Sequence, residues 1–261
     1  MSELRGKREN VIKYLLSERE QYKNVSIPAG DDEQFALYRA LVNVRPAAPV
    51  SEGFLKIQDE FLQLELSKKH ITTLDELSFS PEGICLWQGD ISTLACDAIV
   101  NAANSGMTGC YVPCHNCIDN VIHTYAGVQL RLECDEIMKA QGFEEPVGKA
   151  KITKAYNLPS RHVIHTVGPM IRGEVTAQQD KELAGCYRSC LELAEQNGIT
   201  SIAFCCISTG VFCFPNERAA HIAIDEVKRF KAERNSAIKV IFNVFKDEDR
   251  LIYERLLEEK Q

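Results

Sequence analysis

The fold is decided by residues 201–245, which read SIAFCCISTGVFCFPNERAAHIAIDEVKRFKAERNSAIKVIFNVF. The apolar run from Ser201 to Ile207 predicts a buried strand. Helical spacing of the apolar residues from Glu217 to Phe230 predicts an amphipathic helix, and the run from Lys239 to Phe245 predicts a second strand. A strand, a helix and a strand in succession indicate a layered α/β protein with helices on both faces of a sheet.

The same alternation extends back to residue 79. Short runs rich in Ile, Val, Phe or Ala predict further strands at Ile84 to Gln88, Ala98 to Val100, Lys149 to Ala155 and Val163 to Val167. Helical spacing predicts the other helices at Ile118 to Ala126, Gln129 to Gln141, Asp180 to Asn197 and Asp247 to Glu259. We therefore assign residues 79–261 to one α/β domain.

Residues 1–78 have a different, wholly helical periodicity and form a separate N-terminal extension. Ser51 is a candidate N-cap for a helix whose apolar face carries Phe54, Ile57, Phe61 and Leu64. Asp31 and Asp32 precede a similar helix. The extension either presents a substrate to the main domain or forms a helical layer that covers one edge of the main domain.

Composition excludes several classes of protein. Of the 261 residues, 45% are hydrophobic and 26% charged, which is typical of a globular chain with a large core. A net charge of −7 disfavours a general nucleic-acid binder, since such proteins neutralise phosphates with a basic surface. Without an apolar signal segment or an eighteen-residue apolar run, we expect a cytoplasmic protein with no membrane partner, and a monomer by default.

The loop from Cys110 to Cys117, which reads CYVPCHNC, concentrates soft metal ligands. Cys110, His115 and Cys117 can turn onto one Zn²⁺ ion, and three protein ligands leave a fourth position open, as in catalytic zinc sites. Cys114 is a candidate fourth ligand that would close the site into a structural one. Cysteine is also a common buried residue, so the spacing alone leaves a bound metal and buried thiols as alternatives.

Unusual loops follow three of the predicted strands, at the strand ends where α/β sheets bind ligands. These are Gly89 to Ser92, Asn101 to Asn104 and Ser208 to Pro215. In the third loop, small residues let backbone amides approach an anion, and the following helix adds the positive end of its dipole. A small anionic ligand is therefore compatible with the acidic net charge.

Together these three loops resemble the signature loops of macrodomains, the ADP-ribose-binding α/β/α modules. The resemblance covers about residues 79–261 and includes Ile118 to His123 and Val163 to Pro169, which are similar to the MacroD-type hydrolases. It implies a three-layer α/β/α fold with a central mixed sheet. Where those hydrolases have a glycine-rich stretch, this chain has the metal-ligand loop, which resembles the zinc-containing macrodomains of bacteria and fungi.

The resemblance also implies a set of substrate-binding residues. Asp90, beside the Ile91 amide, would accept a hydrogen bond from the adenine amino group, and Phe245 would stack on the base. Backbone amides of the Ser208 loop would hold the pyrophosphate, with Phe212 over the distal ribose. The full implied set is Asp90, Ile91, Asn101, Ala103, Asn104, Ser208, Thr209, Gly210, Val211, Phe212 and Phe245.

For catalysis, the resemblance implies Asn104 and Asp119 beside a Zn²⁺ ion held by Cys110, His115 and Cys117. Asn104 would fix the distal ribose, while Asn101 braces the loop. Asp119 would orient water or act as general base; its structural alternative is the N-cap of the next helix. His123 could support Asp119, although a core histidine with satisfied hydrogen bonds is the favoured interpretation.

The expected function is zinc-dependent removal of ADP-ribose from mono-ADP-ribosylated protein side chains, with an ester-type link to Asp, Glu or Ser favoured. One alternative is a non-catalytic reader of ADP-ribosylated proteins in which the metal only braces the loop. The other is a deacetylase acting on O-acetyl-ADP-ribose.

Overall fold

A six-stranded mixed sheet forms the centre of the computed structural model, which describes residues 3–259. The four residues 1, 2, 260 and 261, which belong to the assigned ranges 1–78 and 79–261, lie outside the described part. The strands are β1 (Thr72–Thr73), β2 (Ile84–Gln88), β3 (Leu94–Ala95), β4 (Ala98–Ala103), β5 (Ala150–Lys154), β6 (His162–Val167), β7 (Ser201–Phe204) and β8 (Lys239–Val244). The helices are α1 (Glu3–Ser17), α2 (Asp31–Val44), α3 (Glu52–Leu66), α4 (Ile118–Ala126), α5 (Val128–Gln141), α6 (Ala177–Gln196), α7 (Asn216–Arg234) and α8 (Asp247–Glu259).

The sheet has the strand order β2-β8-β7-β4-β6-β5. All neighbouring pairs are parallel except β5 and β6, which makes the sheet mixed. Helices α4 and α5 contact the sheet as one layer, and α6, α7 and α8 pack on one another as the other layer. The three-layer α/β/α fold expected from the sequence is confirmed.

Two strand ends differ from the prediction by three residues, each for a physical reason. Strand β4 continues past Val100 to Ala103, because β6 pairs with it along its whole length and the polar Asn101 finds partners inside the fold. Strand β7 ends at Phe204 rather than Ile207. The apolar side chains of Cys205 and Ile207 remain in the main core without strand pairing, and the chain turns at Ser208, whose φ is 66°.

The extension has a second, small core that contains Tyr38 and Phe61 and that Val128 of α5 joins from the main domain. Ser51 caps α3 as predicted, since its side chain accepts a hydrogen bond from the Phe54 amide at 3.2 Å. The expectation of an all-helical extension is wrong at its end, because Thr72–Thr73 forms strand β1 and pairs with β3.

The extension packs as a helical layer on the α4–α5 layer of the main domain and not on an edge strand of the sheet. The Tyr38 hydroxyl donates to the Thr124 carbonyl at 3.1 Å, and the Gln58 side chain accepts from the Val128 amide at 3.1 Å. Across residues 3–259, none of the helices combines the length and the apolar character that a membrane span requires.

Candidate active site

The predicted site residues meet at one edge of the sheet. Strands β2, β8, β7 and β4 run parallel, so their carboxyl ends lie on the same side. Asp90 follows β2, Phe245 follows β8, the Ser208 loop follows β7 and Asn104 follows β4. This edge is where open α/β sheets bind ligands.

Asp90 is a fixed carboxylate at this edge. One of its oxygens accepts hydrogen bonds from the amide and hydroxyl of Ser92, at 3.0 and 2.6 Å. The other accepts from the Lys69 ammonium at 3.0 Å, and Lys69 also lies 4.0 Å from the ring centroid of Tyr125. Partial burial alone would raise the pKa of Asp90, but the hydrogen bonds from Ser92 and the charge of Lys69 outweigh it and lower that pKa.

An aromatic face is available next to Asp90. Phe245 is 76% exposed, which is unusual for a large apolar side chain and suits a ring that stacks on a ligand. Ile91, in contrast, is buried, so its side chain belongs to the core and only its backbone can face a ligand.

The segment Ser208–Phe214, which we call the serine loop, is closed by its own backbone. The Phe214 amide donates to the Ser208 carbonyl at 3.0 Å, and the Cys213 amide donates to the Gly210 carbonyl at 3.0 Å. Within residues 3–259, no acceptor lies within hydrogen-bonding range of the amides of Gly210, Val211 and Phe212. The loop leads through Pro215 into the N-terminus of α7. Such free amides beside a helix N-terminus can hold an anion.

Asn101, Asn104 and Asp119 form one hydrogen-bonded network. The Asn101 side-chain amide donates to one Asp119 carboxylate oxygen at 2.8 Å and to His165 Nδ1 at 3.1 Å. The Asn104 amide lies 3.4 Å from the other Asp119 oxygen. Asn101 and Ala103 are buried, whereas Asn104 is exposed, so Asn104 is the member of the set that can meet a ligand.

Asp119 lies inside the first turn of α4 and does not cap it. The cap is Cys117, whose sulfur accepts a hydrogen bond from the Asn120 amide at 3.4 Å. The structural alternative for Asp119 is therefore wrong. Burial raises the pKa of Asp119 to about 6, although the hydrogen bond from Asn101 and the charge of Arg131 act in the opposite direction.

His123 is not the satisfied core histidine expected from the sequence. It is buried, and within the described chain neither ring nitrogen has a hydrogen-bond partner; Nε2 lies 3.5 Å from Asp119. Burial, with the nearby His165 and Arg131, holds the pKa of His123 well below its usual range, so the ring is neutral.

Cys110, His115 and Cys117 come together as predicted. Their ligand atoms all lie within 4.8 Å of one another, and Cys110 Sγ is 3.7 Å from His115 Nδ1. Tetrahedral zinc separates such ligand atoms by about 3.5–3.8 Å, so the three side chains fit this ion with little movement. Cys114 points away, with its thiol 3.4 Å from the Ala36 carbonyl. The described residues thus provide three ligands and not four.

The trio of candidate metal ligands lies beside the hydrogen-bonded network of Asn101, Asn104 and Asp119. The Asn104 amide donates to the Gly109 carbonyl at 3.1 Å, one residue before Cys110, and Asp119 follows Cys117 by two residues. A ligand held at Asn104 is therefore next to Asp119 and close to the trio.

Local patterns did not single out several side chains that support this site. Lys69 reaches Asp90 from beyond α3, and Arg39 and Asn43 of α2 contact the backbone of the Cys110–Cys117 loop. All three belong to the extension. Each partner is far away along the chain, so spacing in the sequence carries no signal of these contacts.

The chain is a three-layer α/β/α protein with a candidate ligand site at one edge of its sheet, and comparisons with known proteins identify its family. A model described as Macro domain matches residues 100–223. The chain is 54% identical over 251 residues to a protein of Treponema medium called protein-ADP-ribose hydrolase, covering 95% of this chain and 96% of that protein. A protein of the same name from Staphylococcus aureus (strain MSSA476) is 49% identical over 248 residues, with 93% of each covered.

A solved structure agrees with these relatives. The Trypanosoma brucei macrodomain in complex with ADP-ribose matches with a TM-score of 0.64 and 32% identity, covering 84% of this chain and 94% of that one. The chain belongs to the macrodomain family. Its similarity to the two named hydrolases extends over nearly its whole length, including the N-terminal extension.

Proposed function

We propose that this protein is a zinc-dependent hydrolase that removes ADP-ribose from mono-ADP-ribosylated protein side chains. The main observation behind this proposal is that the ligand atoms of Cys110, His115 and Cys117 lie close together. They do so beside Asn104 and Asp119. The names of the bacterial relatives, protein-ADP-ribose hydrolase, support the reaction class. The zinc requirement and the ester-type linkage are the finer parts of the proposal.

Cys110, His115 and Cys117 would hold the ion, and the distances among their ligand atoms support this assignment. When bound, zinc supplies Lewis acidity, which polarises oxygen atoms of substrate or water. With Cys110, His115 and Cys117 as its protein ligands, the ion would keep one position open for water or substrate. Cys114 has no part in the site, because its thiol is directed to the backbone of α2.

The rest of the site binds and orients the nucleotide. Asp90 accepts a hydrogen bond from the adenine amino group, Phe245 stacks on the base, and the amides of the serine loop bind the pyrophosphate. Asn104 fixes the distal ribose, since it is the exposed member of its network and is itself held by Gly109 and Asp119. A sugar fixed in this way loses less entropy on reaching the geometry of attack.

Asp119 accepts the proton that the attacking water gives up. Its carboxylate is kept in orientation by Asn101, and its second oxygen lies on the side of Asn104. An ester-type linkage is favoured over an N-glycosidic one because the acyl carbon of an ester is attacked without prior protonation of the leaving group. Asp119 can then pass the proton that it took from water to the ribose oxygen as the acyl–oxygen bond breaks, which returns Asp119 to its carboxylate form.

Replacement of Cys117 by alanine tests the proposal, with Cys114→Ala as the matched control from the same loop. Zinc content is measured by atomic spectroscopy, and release of ADP-ribose from a mono-ADP-ribosylated protein is followed in single turnovers. We expect Cys117→Ala to lose zinc and at least about 100-fold in rate, while Cys114→Ala keeps both and both variants still bind free ADP-ribose.

Several results would contradict the proposal. Full activity of wild-type protein after a chelator has removed all metal would exclude a zinc requirement. Tight binding of ADP-ribose without any turnover would instead identify a reader. Turnover of O-acetyl-ADP-ribose but of no modified protein would identify a deacetylase.

A further inference from the structure

We infer that helix α2 of the N-terminal extension is part of the metal site, with Arg39 and Asn43 as positioning residues that hold the metal ligands. This inference rests on the proposed function, because it takes Cys110, His115 and Cys117 as the ligands. It assigns to the extension a task in catalysis that is separate from substrate contact. We call the segment Cys110–Cys117 the cysteine loop.

The cysteine loop has little support of its own. It lies between β4 and α4 and contains no helix or strand. Within the loop, the described backbone makes one hydrogen bond, from the His115 amide to the Val112 carbonyl at 3.2 Å. Cys114 has a φ of 54°, a left-handed conformation that non-glycine residues adopt at a cost. A segment of this kind stays ordered only when neighbouring elements offset its conformational entropy.

Arg39 supplies the first support. Its guanidinium donates to the carbonyl of His115 at 2.7 Å and to the Asn120 side-chain oxygen at 3.0 and 3.1 Å. Asn120 is fully buried and carries the contact onward, since its side-chain amide donates to the Val112 carbonyl at 3.0 Å and its backbone amide donates to Cys117 Sγ at 3.4 Å. One guanidinium thus fixes the backbone of one ligand and, through Asn120, the sulfur of another.

Asn43 supplies the second support, one turn further along α2. Its side-chain oxygen accepts a hydrogen bond from the Cys114 amide at 2.9 Å, and its side-chain amide donates to the Thr124 hydroxyl at 3.1 Å. The Asn43 side chain therefore joins the middle of the cysteine loop to helix α4, and it is buried. The Cys114 thiol adds a weaker contact with the carbonyl of Ala36.

Arg131 of α5 fixes α2 itself. Its guanidinium donates to the carbonyls of Val42 and Asn43, both at 2.9 Å, and also contacts the carbonyl of Arg45. These carbonyls end helix α2, where a cation is favourable. The same guanidinium lies 4.4 Å from the ring centroid of Tyr111 in the cysteine loop. Arg131 therefore contacts both the end of helix α2 and the cysteine loop, and it holds the two in place relative to one another.

The consequence is that the geometry of the metal ligands depends on residues of the extension that touch neither metal nor substrate. Hydrogen bonds from such outer residues commonly change metal affinity by about 10- to 100-fold when they are removed. We expect loss of Arg39 or Asn43 to loosen the ligands while nucleotide binding at Asp90 and Phe245 stays unchanged.

The test compares Arg39→Leu with Arg45→Leu in the full-length chain. Arg45 is the matched control, because it is a buried arginine at the end of the same helix but bonds within the extension, to Glu18 and to the carbonyls of Pro46, Ala48 and Pro49. Zinc transfer from loaded protein to a chromophoric chelator is timed. In metal-free protein, the alkylation rates of Cys110 and Cys117 are mapped by mass spectrometry against the exposed Cys213.

We expect Arg39→Leu to speed zinc release by about 10- to 100-fold and to raise the alkylation of Cys110 and Cys117 relative to Cys213. Arg45→Leu should lower the melting temperature without either change. Arg39→Lys, which keeps the charge but not the forked donors, and Asn43→Leu should fall between Arg39→Leu and wild type.

The inference is overturned if Arg39→Leu releases zinc and reacts like wild type, or if Arg45→Leu has the same effect as Arg39→Leu. A wild-type protein that takes up no zinc would refute the proposed function. The alkylation rates would then still decide whether Arg39 positions the two thiols.

Discussion

The serine loop and the cysteine loop lie at the same edge of the sheet but are held in different ways. The serine loop is closed by backbone hydrogen bonds within itself, and among residues 3–259 its Gly210, Val211 and Phe212 amides donate no hydrogen bond, which leaves them open to a ligand. The cysteine loop presents side chains, and side chains of α2 and α4 hold it in place.

Because of this difference, the two loops should differ in the amino-acid substitutions that they tolerate. Backbone amides do not depend on the identity of the side chain, so the serine loop should accept many substitutions as long as its conformation persists. The cysteine loop depends on single side chains from 70 to 80 residues away, such as the bond between Arg39 and His115. Point changes outside the site should therefore affect catalysis much more than nucleotide binding.

Among the side chains next to the cysteine loop, replacement of Asp119 should have the largest effect on catalysis. Asp119→Asn keeps the size of the group and its contact with Asn101 but cannot accept a proton. We expect the single-turnover rate to fall by about 10²- to 10⁴-fold, the usual range for a lost general base. Calorimetry should give an unchanged affinity for free ADP-ribose. A variant with near-wild-type turnover would remove Asp119 from the catalytic role.

The same network predicts how stability depends on pH. His165 is buried, and burial lowers its pKa to about 3, whereas the unfolded chain has the ordinary value of 6.5. Below pH 6.5, His165 binds a proton in the unfolded chain but not in the folded protein. The native state therefore loses stability relative to the unfolded state as the pH falls. The loss from this group should approach about 1.4 kcal/mol per pH unit below that point.

Urea unfolding of wild type and His165→Gln between pH 5 and 7.5 measures this slope. The variant should show the shallower decline, whatever its stability at pH 7.5, because glutamine takes up no proton. Equal slopes would mean that His165 is protonated in the native state. The experiment is done on metal-free protein, so that release of a bound ion does not contribute to the slope.

Local patterns predicted the elements well and the network poorly. Helices α4 and α8 have the predicted bounds, because periodicity and end signals lie within a few residues of each helix. Strand β4 was predicted too short, since Asn101 looks like a loop residue. Its partners Asp119 and His165 lie 18 and 64 residues away, and no local pattern reports that they satisfy a buried amide.

The candidate metal ligands could be predicted from the sequence, but the side chains that support them could not. Cys110, His115 and Cys117 lie within eight residues, so their chemistry is visible in the sequence. The contacts of Arg39, Asn43 and Lys69 cross between the extension and the main domain. In the sequence, each looks like an ordinary polar residue of a helix or a loop, because its partner is close to it only in the folded protein.

The smallest effect is expected in the serine loop, which would bind the ligand through its backbone. Ser208 has a φ of 66°, and its hydroxyl has no hydrogen-bond partner among residues 3–259. Ser208→Gly removes this hydroxyl and suits the left-handed conformation, so ADP-ribose affinity should change by less than about threefold, while the free energy of unfolding rises by up to about 1 kcal/mol. Phe245→Ala is the comparator, because loss of base stacking should weaken binding by about 1–3 kcal/mol. If Ser208→Gly weakens binding as much as Phe245→Ala does, a side chain of the serine loop holds the phosphate, and the two loops do not differ in the way described.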